Sequence, residues 1–299
     1  MAIPLLTSLV RANLQAFSPL LKRGGLEEAR ALQSTTGSLM AHIHSATTDF
    51  DTMAIGNYEA VWASPKEEPK SGVILYLHGG GYCAGNLQYA EGVGSTLSGT
   101  TNRRVFCPAY RLAPEHPCPA ALEDALHAYE YLLLKDYSGD EIVLCGESAG
   151  GGLVYCLMQM LIQNALPLPA GIVAISPWTD LTLSGASIND NRDTDPTLTR
   201  ELLEFYVKSY CTEEMQPDNP LVSPLFAELY GFPPSLIFAG GDELVLTDAV
   251  RMHERLLSFG ASSRLSVEPG LWHSWPLYHI KESREALKYI SDFVEECIA

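Results

Sequence analysis

The stretch Ile142-Val143-Leu144-Cys145-Gly146-Glu147-Ser148-Ala149-Gly150 decides the fold. Its apolar start reads as a buried strand, and Leu153-Val154 through Leu161-Ile162 reads as an apolar helix. A G-x-S-x-G turn between a strand and a helix is a nucleophile elbow. The flanking glycines are needed because the turn is too tight for side chains, and because the serine must sit in strained backbone. Such a turn lifts the hydroxyl above the sheet edge and aims the N-terminus of the next helix at it, where the helix dipole favours developing negative charge.

Working outward, buried-type runs recur at Gly72–Leu77, Val105–Cys107, Gly171–Ile175 and Leu236–Ala239, with a weaker run at Arg264–Val267. Shorter strands are expected at Thr47–Phe50 and Tyr58–Ala63. Helical patterns fall at 119–135, 149–164, 248–259 and 283–297. Strands alternating with helices predict an α/β fold, a mostly parallel central sheet flanked by helices, with reactive groups at the carboxyl ends of the strands.

Two parts break this alternation. Leu6, Leu9, Val10 and Leu14 recur at helical spacing, Pro19 interrupts, and Gly24-Gly25 separates a second pattern through Leu26, Ala29, Leu32 and Leu39. Residues 177–234 are too long for a plain connection between core strands. The expected organisation is N-terminal cap helices over 1–45, a first core part over 46–176, an inserted cap segment over 177–234 and a second core part over 235–299.

Composition bounds the function classes. Nineteen Lys+Arg against 36 Asp+Glu give a formal charge of −17, which repels nucleic acid and anionic membranes. No stretch approaches the roughly 18 apolar residues of a membrane span. The seven cysteines lack paired spacing and several lie in apolar runs, so they read as reduced thiols in a cytoplasmic protein, with no metal site. The expected partner is a small molecule, with no nucleic acid, membrane or cofactor involved.

The chemistry-bearing residues follow from position. His78-Gly79-Gly80-Gly81 comes directly after a core strand, where a second oxyanion element belongs. In the chain order serine, acid, histidine, His273 is the base: it follows the last strand and sits between Trp272 and Trp275. His253 lies in a charged helix and His279 in the last helical region, so both rank below it. For the acid, Asp242 directly follows the fifth core strand; its neighbour Glu243 and Asp248 are the other candidates, and Asp242 is favoured. Asp180 and Asp195 fall inside the insertion, and the role of Glu147 stays open between lining the pocket and pairing with a base.

With these residues laid out, the chain resembles the hormone-sensitive-lipase-like esterases of the α/β-hydrolase fold from about Gly72 onward. The resemblance rests on His78-Gly79-Gly80-Gly81, Tyr110–Pro117, Gly146–Gly151, Ser176–Leu181 and Ser223-Pro224-Leu225. It implies a helical cap, an oxyanion hole from the backbone N–H groups of Gly80, Gly81 and Ala149, and a structural His78. It also implies a buried Arg111–Glu115 pair and a homodimer through the edge strand near Arg264–Val267. Substrate contacts are expected at Tyr82, Glu147 and Trp275, the last narrowing the acyl or alcohol pocket. The implied activity is hydrolysis of short- to medium-chain carboxylic esters through an acyl-enzyme on Ser148. The alternatives are the same triad acting on an acetylated sugar, lactone, amide or thioester, or a non-catalytic, receptor-like member.

Overall fold

The computed structural model describes residues 5–23 and 25–298. Helices α1 (Leu5–Arg23) and α2 (Leu26–His44) lead into an antiparallel hairpin, β1 (Thr48–Ile55) and β2 (Tyr58–Pro65). Then come β3 (Val73–Leu77), α3 (Leu87–Thr101), β4 (Arg104–Ala109), α4 (Ala120–Leu134), β5 (Ile142–Glu147) and α5 (Ala149–Gln163). After β6 (Gly171–Ile175), the long segment leading to the next strand contributes α6 (Ser187–Asp190) and α7 (Arg200–Tyr210). The chain closes with β7 (Ser235–Gly240), α8 (Leu246–Ser258), β8 (Ser263–Glu268) and α9 (Lys281–Cys297).

The strands form one eight-stranded sheet in the order β1-β2-β4-β3-β5-β6-β7-β8. β2 pairs antiparallel with β4, and every pairing from β4 through β8 is parallel. All residues of β3, β5, β6 and β7 are buried, because helices cover both faces of a parallel sheet. The period-2 alternation divides β5 between two apolar layers. Ile142 and Leu144 pack with α4, α5 and α8, while Val143 and Cys145 pack with α3 and α9. Parallel register then brings the ends of β3, β5, β6, β7 and β8 to one edge, and Ser148, Asp242, Glu243 and His273 all sit just beyond strands that end there.

Two helical expectations change. The backbone of α1 continues helical through Pro19, so the separation from α2 falls at the paired glycines, of which Gly24 lies outside the described residues. Helix α3 carries no amphipathic pattern: it is rich in Gly, Ser and Thr and buried along most of its length. It forms because it crosses α2 at glycine. A Cβ on Gly37 would lie 2.3 Å from the Gln88 carbonyl oxygen, and one on Gly92 2.4 Å from that of Gly37. Tertiary contact here overrides low propensity.

The seven cysteines are all free thiols, five buried and two (Cys211, Cys297) half-buried.

Candidate active site

The elbow is strained as the sequence required. Ser148 sits at φ 56°, ψ −121°, a conformation side chains rarely adopt. Backbone bonds hold it there: its N–H donates to Ile175 O (2.9 Å), while its carbonyl accepts from Trp178 N–H (2.9 Å) and Gly152 N–H (3.1 Å). Gly150 is obligatory, since a Cβ would stand 2.0 Å from Leu77 O. The serine side chain is half-buried, at the mouth of an otherwise buried turn.

The glycine loop after β3 lies against this turn. Gly80 and Gly81 take φ values of 116° and 61°, and the turn closes through Gly80 O, which accepts from Cys83 N–H (3.1 Å) and Ala84 N–H (2.9 Å). Among the described residues, the N–H groups of Gly80, Gly81 and Ala149 have no protein acceptor. Gly79 N–H differs: it donates to Glu147 Oε1 at 2.6 Å. Glu147 also accepts from Tyr76 Oη at 2.5 Å, so this buried carboxylate ties the glycine loop to the residue before the nucleophile. Burial pushes its carboxyl up to about 7, with the bonds from Tyr76 and Gly79 opposing the rise. Glu147 therefore faces the scaffold and not a substrate pocket.

His78 is fully buried and stacked on Tyr110 at 4.1 Å, and burial lowers its imidazole to about 4. It stays neutral, with Nδ1 against Gly79 O.

The loops after β7 and β8 change one expectation. His273 Nδ1 meets Glu243 Oε2 at 3.0 Å, and both side chains are buried. Asp242, favoured from sequence, points the other way, into an ion pair with Arg11 at 2.6 Å. Two adjacent carboxylates in a loop face opposite sides, and the chain turns so that the second one enters the site. Residues between β6 and β7 help hold that turn: Asn191 Nδ2 donates to Gly241 O (3.1 Å) and Glu243 O (2.8 Å), and Leu244 N–H donates to Asp195 Oδ2 (2.8 Å). Sequence gave no sign of this insertion-to-acid contact. Asp248, the third candidate, is buried elsewhere and accepts from the N–H groups of Thr179 and Asp180.

Burial disfavours the imidazolium of His273, but the bond to Glu243 and its charge, with Asp195 and Glu147 nearby, outweigh it and raise the group above its ordinary 6.5. Burial likewise raises the Glu243 carboxyl, offset by His273 and the Ser176 hydroxyl. A carboxylate can only accept, so Nδ1 carries the proton and neutral His273 leaves Nε2 as an acceptor. That Nε2 is buried and has no hydrogen-bond partner among the described residues.

Three further expectations move. Trp275 packs edge-on against Phe238 (6.0 Å) in the layer shared with α9, so it does not narrow a pocket above the sheet. Tyr82 is buried beneath the insertion, stacked on Tyr210 of α7 at 3.8 Å. Arg111 grips Asp124 on α4 (Nη2–Oδ1 2.8 Å) instead of Glu115. Glu115 is half-exposed and takes both Nη groups of Arg30 from α2, each at 2.7 Å. Arg30 Nε also reaches Cys83 O (2.9 Å), so α2 holds the far side of the glycine loop.

A family model described as "alpha/beta hydrolase fold" matches residues 74–277, which span the elbow, the glycine loop and the His273 loop. The chain belongs to the α/β-hydrolase fold family. Among relatives of this α/β-hydrolase, an acetyl-hydrolase of Streptomyces hygroscopicus is 34% identical over 82% of both chains. A crystal structure of an esterase from the bacterial hormone-sensitive lipase family superposes with a TM-score of 0.90 at 31% identity, covering 100% of each chain. A structure of EstE5 soaked with p-nitrophenyl butyrate gives 0.88 at 27% identity, covering 99% of each. This α/β-hydrolase is a carboxylic ester hydrolase of the hormone-sensitive-lipase type. Among the described residues none of its helices is long and apolar enough to cross a membrane, and no cluster of His, Cys, Asp and Glu could hold a metal ion.

Proposed function

We propose that this esterase works through an acyl-enzyme on Ser148, with His273 as general base and Glu243 as the acid that orients it. The observation that carries the assignment is the buried Nδ1–Oε2 contact of 3.0 Å, which leaves Nε2 as the free acceptor. His273 takes the Ser148 proton as the hydroxyl attacks the ester carbonyl, and Glu243 stabilises the imidazolium that forms. The N–H groups of Gly80, Gly81 and Ala149 receive the oxyanion, each worth about 2.7–4 kcal/mol by comparison with single-donor removal elsewhere. His273 then protonates the leaving alcohol, and water attacks the acyl-enzyme with the same groups in reversed roles.

The substrate class is short- to medium-chain carboxylic esters. Tyr206 of α7 lies against Gly81, where an added Cβ would stand 2.2 Å from its ring, so the cap rests directly on the oxyanion loop. The acetyl-hydrolase relative and the p-nitrophenyl butyrate soak of EstE5 agree with small acyl groups. α1, α2 and residues 177–234 are read as the cap, and the reduced thiols as fitting a cytoplasmic enzyme. β8 ends the sheet and offers an edge for a homodimer.

The test is a p-nitrophenyl ester series from acetate to palmitate, with wild type and Ser148→Ala. Short esters turning over and a loss of about 10⁴-fold or more in the variant are expected. Undiminished turnover by Ser148→Ala would sink the assignment.

A further inference from the structure

We infer that Arg11, carried on α1, is a positioning residue for the Glu243–His273 pair, which makes the N-terminal helix part of the acid–base machinery as well as of the cap. The inference rests on Glu243 being the working acid.

Arg11 reaches three elements at once. Nη2 contacts Asp242 Oδ2 at 2.6 Å and Thr194 O at 3.0 Å, and Nη1 donates to Gly270 O. Asp242 immediately precedes Glu243 in the loop after β7, Gly270 lies three residues before His273 in the loop after β8, and Thr194 belongs to the inserted segment. One guanidinium therefore spans the two loops whose side chains must meet. Its planar fork suits this, since it can serve a carboxylate and two carbonyls in fixed directions. Backbone bonds already join the loops, from Asp242 N–H to Leu271 O (2.9 Å) and from Gly241 N–H to Glu268 O (2.9 Å). Asn191 and Asp195 hold the peptides on either side of the Asp242–Glu243 pair. Arg11 adds the hold on the Asp242 side chain itself, keeping that carboxylate outward while its neighbour points inward. Thr194 Oγ1 adds a second hold on the Asp242 carbonyl at 3.3 Å.

Arg11 and Asp242 are partly exposed, at 17% and 27% of the side chain, and such a pair adds little to global stability. Catalysis is more demanding, because a small displacement of an oriented group is costly. The expected signature is a fall in kcat without a matching fall in melting temperature.

The experiment uses the full chain and p-nitrophenyl acetate, with Arg11→Met, Arg11→Lys, Asp242→Asn, the double variant Arg11→Met/Asp242→Asn, and Glu243→Gln as reference. Arg11→Met and Asp242→Asn should each lower kcat about five- to tenfold, with KM within about twofold. The double variant should be no worse than the poorer single, since both remove one interaction. Arg11→Lys should recover part of kcat, because an ammonium keeps the ion pair but cannot span all three acceptors. If Arg11→Met fails to fold, Asp242→Asn removes the same ion pair from the other side and carries the test. A collapse of Glu243→Gln with kcat unchanged in Arg11→Met and Asp242→Asn overturns the role of Arg11 while sparing the acid. Normal kcat in Glu243→Gln overturns the acid assignment itself.

Discussion

Replacing Glu243 by glutamine keeps the side-chain volume and removes the charge that faces His273. In the transition state the imidazole is protonated, and its Nδ1 lies 3.0 Å from Glu243 Oε2 in buried surroundings. At an effective dielectric constant of about 20, two unit charges at that separation attract by about 5.5 kcal/mol. At about 1.36 kcal/mol per decade this is about four decades of rate. Glutamine keeps a neutral contact, so the expected loss in kcat is about 10³- to 10⁴-fold, in line with loss of the orienting carboxylate in other triads. Asp242→Asn is the matched control: the same chemistry one residue away, on a carboxylate partnered by Arg11 and 27% exposed, should cost at most about tenfold. Both variants are measured under saturating p-nitrophenyl acetate or butyrate, with circular dichroism to confirm folding. A large loss in Asp242→Asn beside a near-normal Glu243→Gln would refute the pairing read from the geometry.

Three other outcomes follow from the same contacts. Neutral His273 is the active form, so kcat/KM should rise with pH through a limb above 6.5, where Glu243, Asp195 and Glu147 hold the raised imidazole. In Glu243→Gln the burial remains and the main stabilising charge is gone, so the residual activity should show that limb moved down; an unmoved limb contradicts the electrostatic account. Glu147, held up to about 7 against an ordinary 4.5, keeps its proton in the folded state over a window where the unfolded chain has lost it. Its ionisation therefore costs stability as pH rises through that window, and Glu147→Gln should gain melting temperature relative to wild type between pH 5 and pH 8, a trend that scanning calorimetry can deny. Gly81→Ala would push a Cβ to 2.2 Å from the Tyr206 ring at φ +61°, displacing the N–H proposed as an oxyanion donor. Its kcat should fall about 10²- to 10³-fold, and survival of wild-type kcat would exclude Gly81 from the oxyanion hole.

The buried strands announced themselves because a parallel sheet covered on both faces must be written in continuous apolar residues, as in Val73–Leu77 and Ile142–Cys145. The elbow at Ser148, the glycine loop and the His273 loop were legible because each is set by local backbone geometry and its place after a strand. Helix α3 was not, since its glycines are dictated by the close approach of α2 and carry no periodicity of their own. Nor could the Tyr110–Pro117 stretch reveal that Arg111 would find Asp124 while Glu115 found Arg30, because both partners come from other helices. The acid shows the division most sharply. Sequence determined that a carboxylate follows β7, and the pair Asp242-Glu243 satisfied it twice. Only the folded chain chose between them: Arg11, Asn191 and Asp195, all distant in sequence, turn the loop so that Asp242 stays in an ion pair near the surface and Glu243 reaches the imidazole.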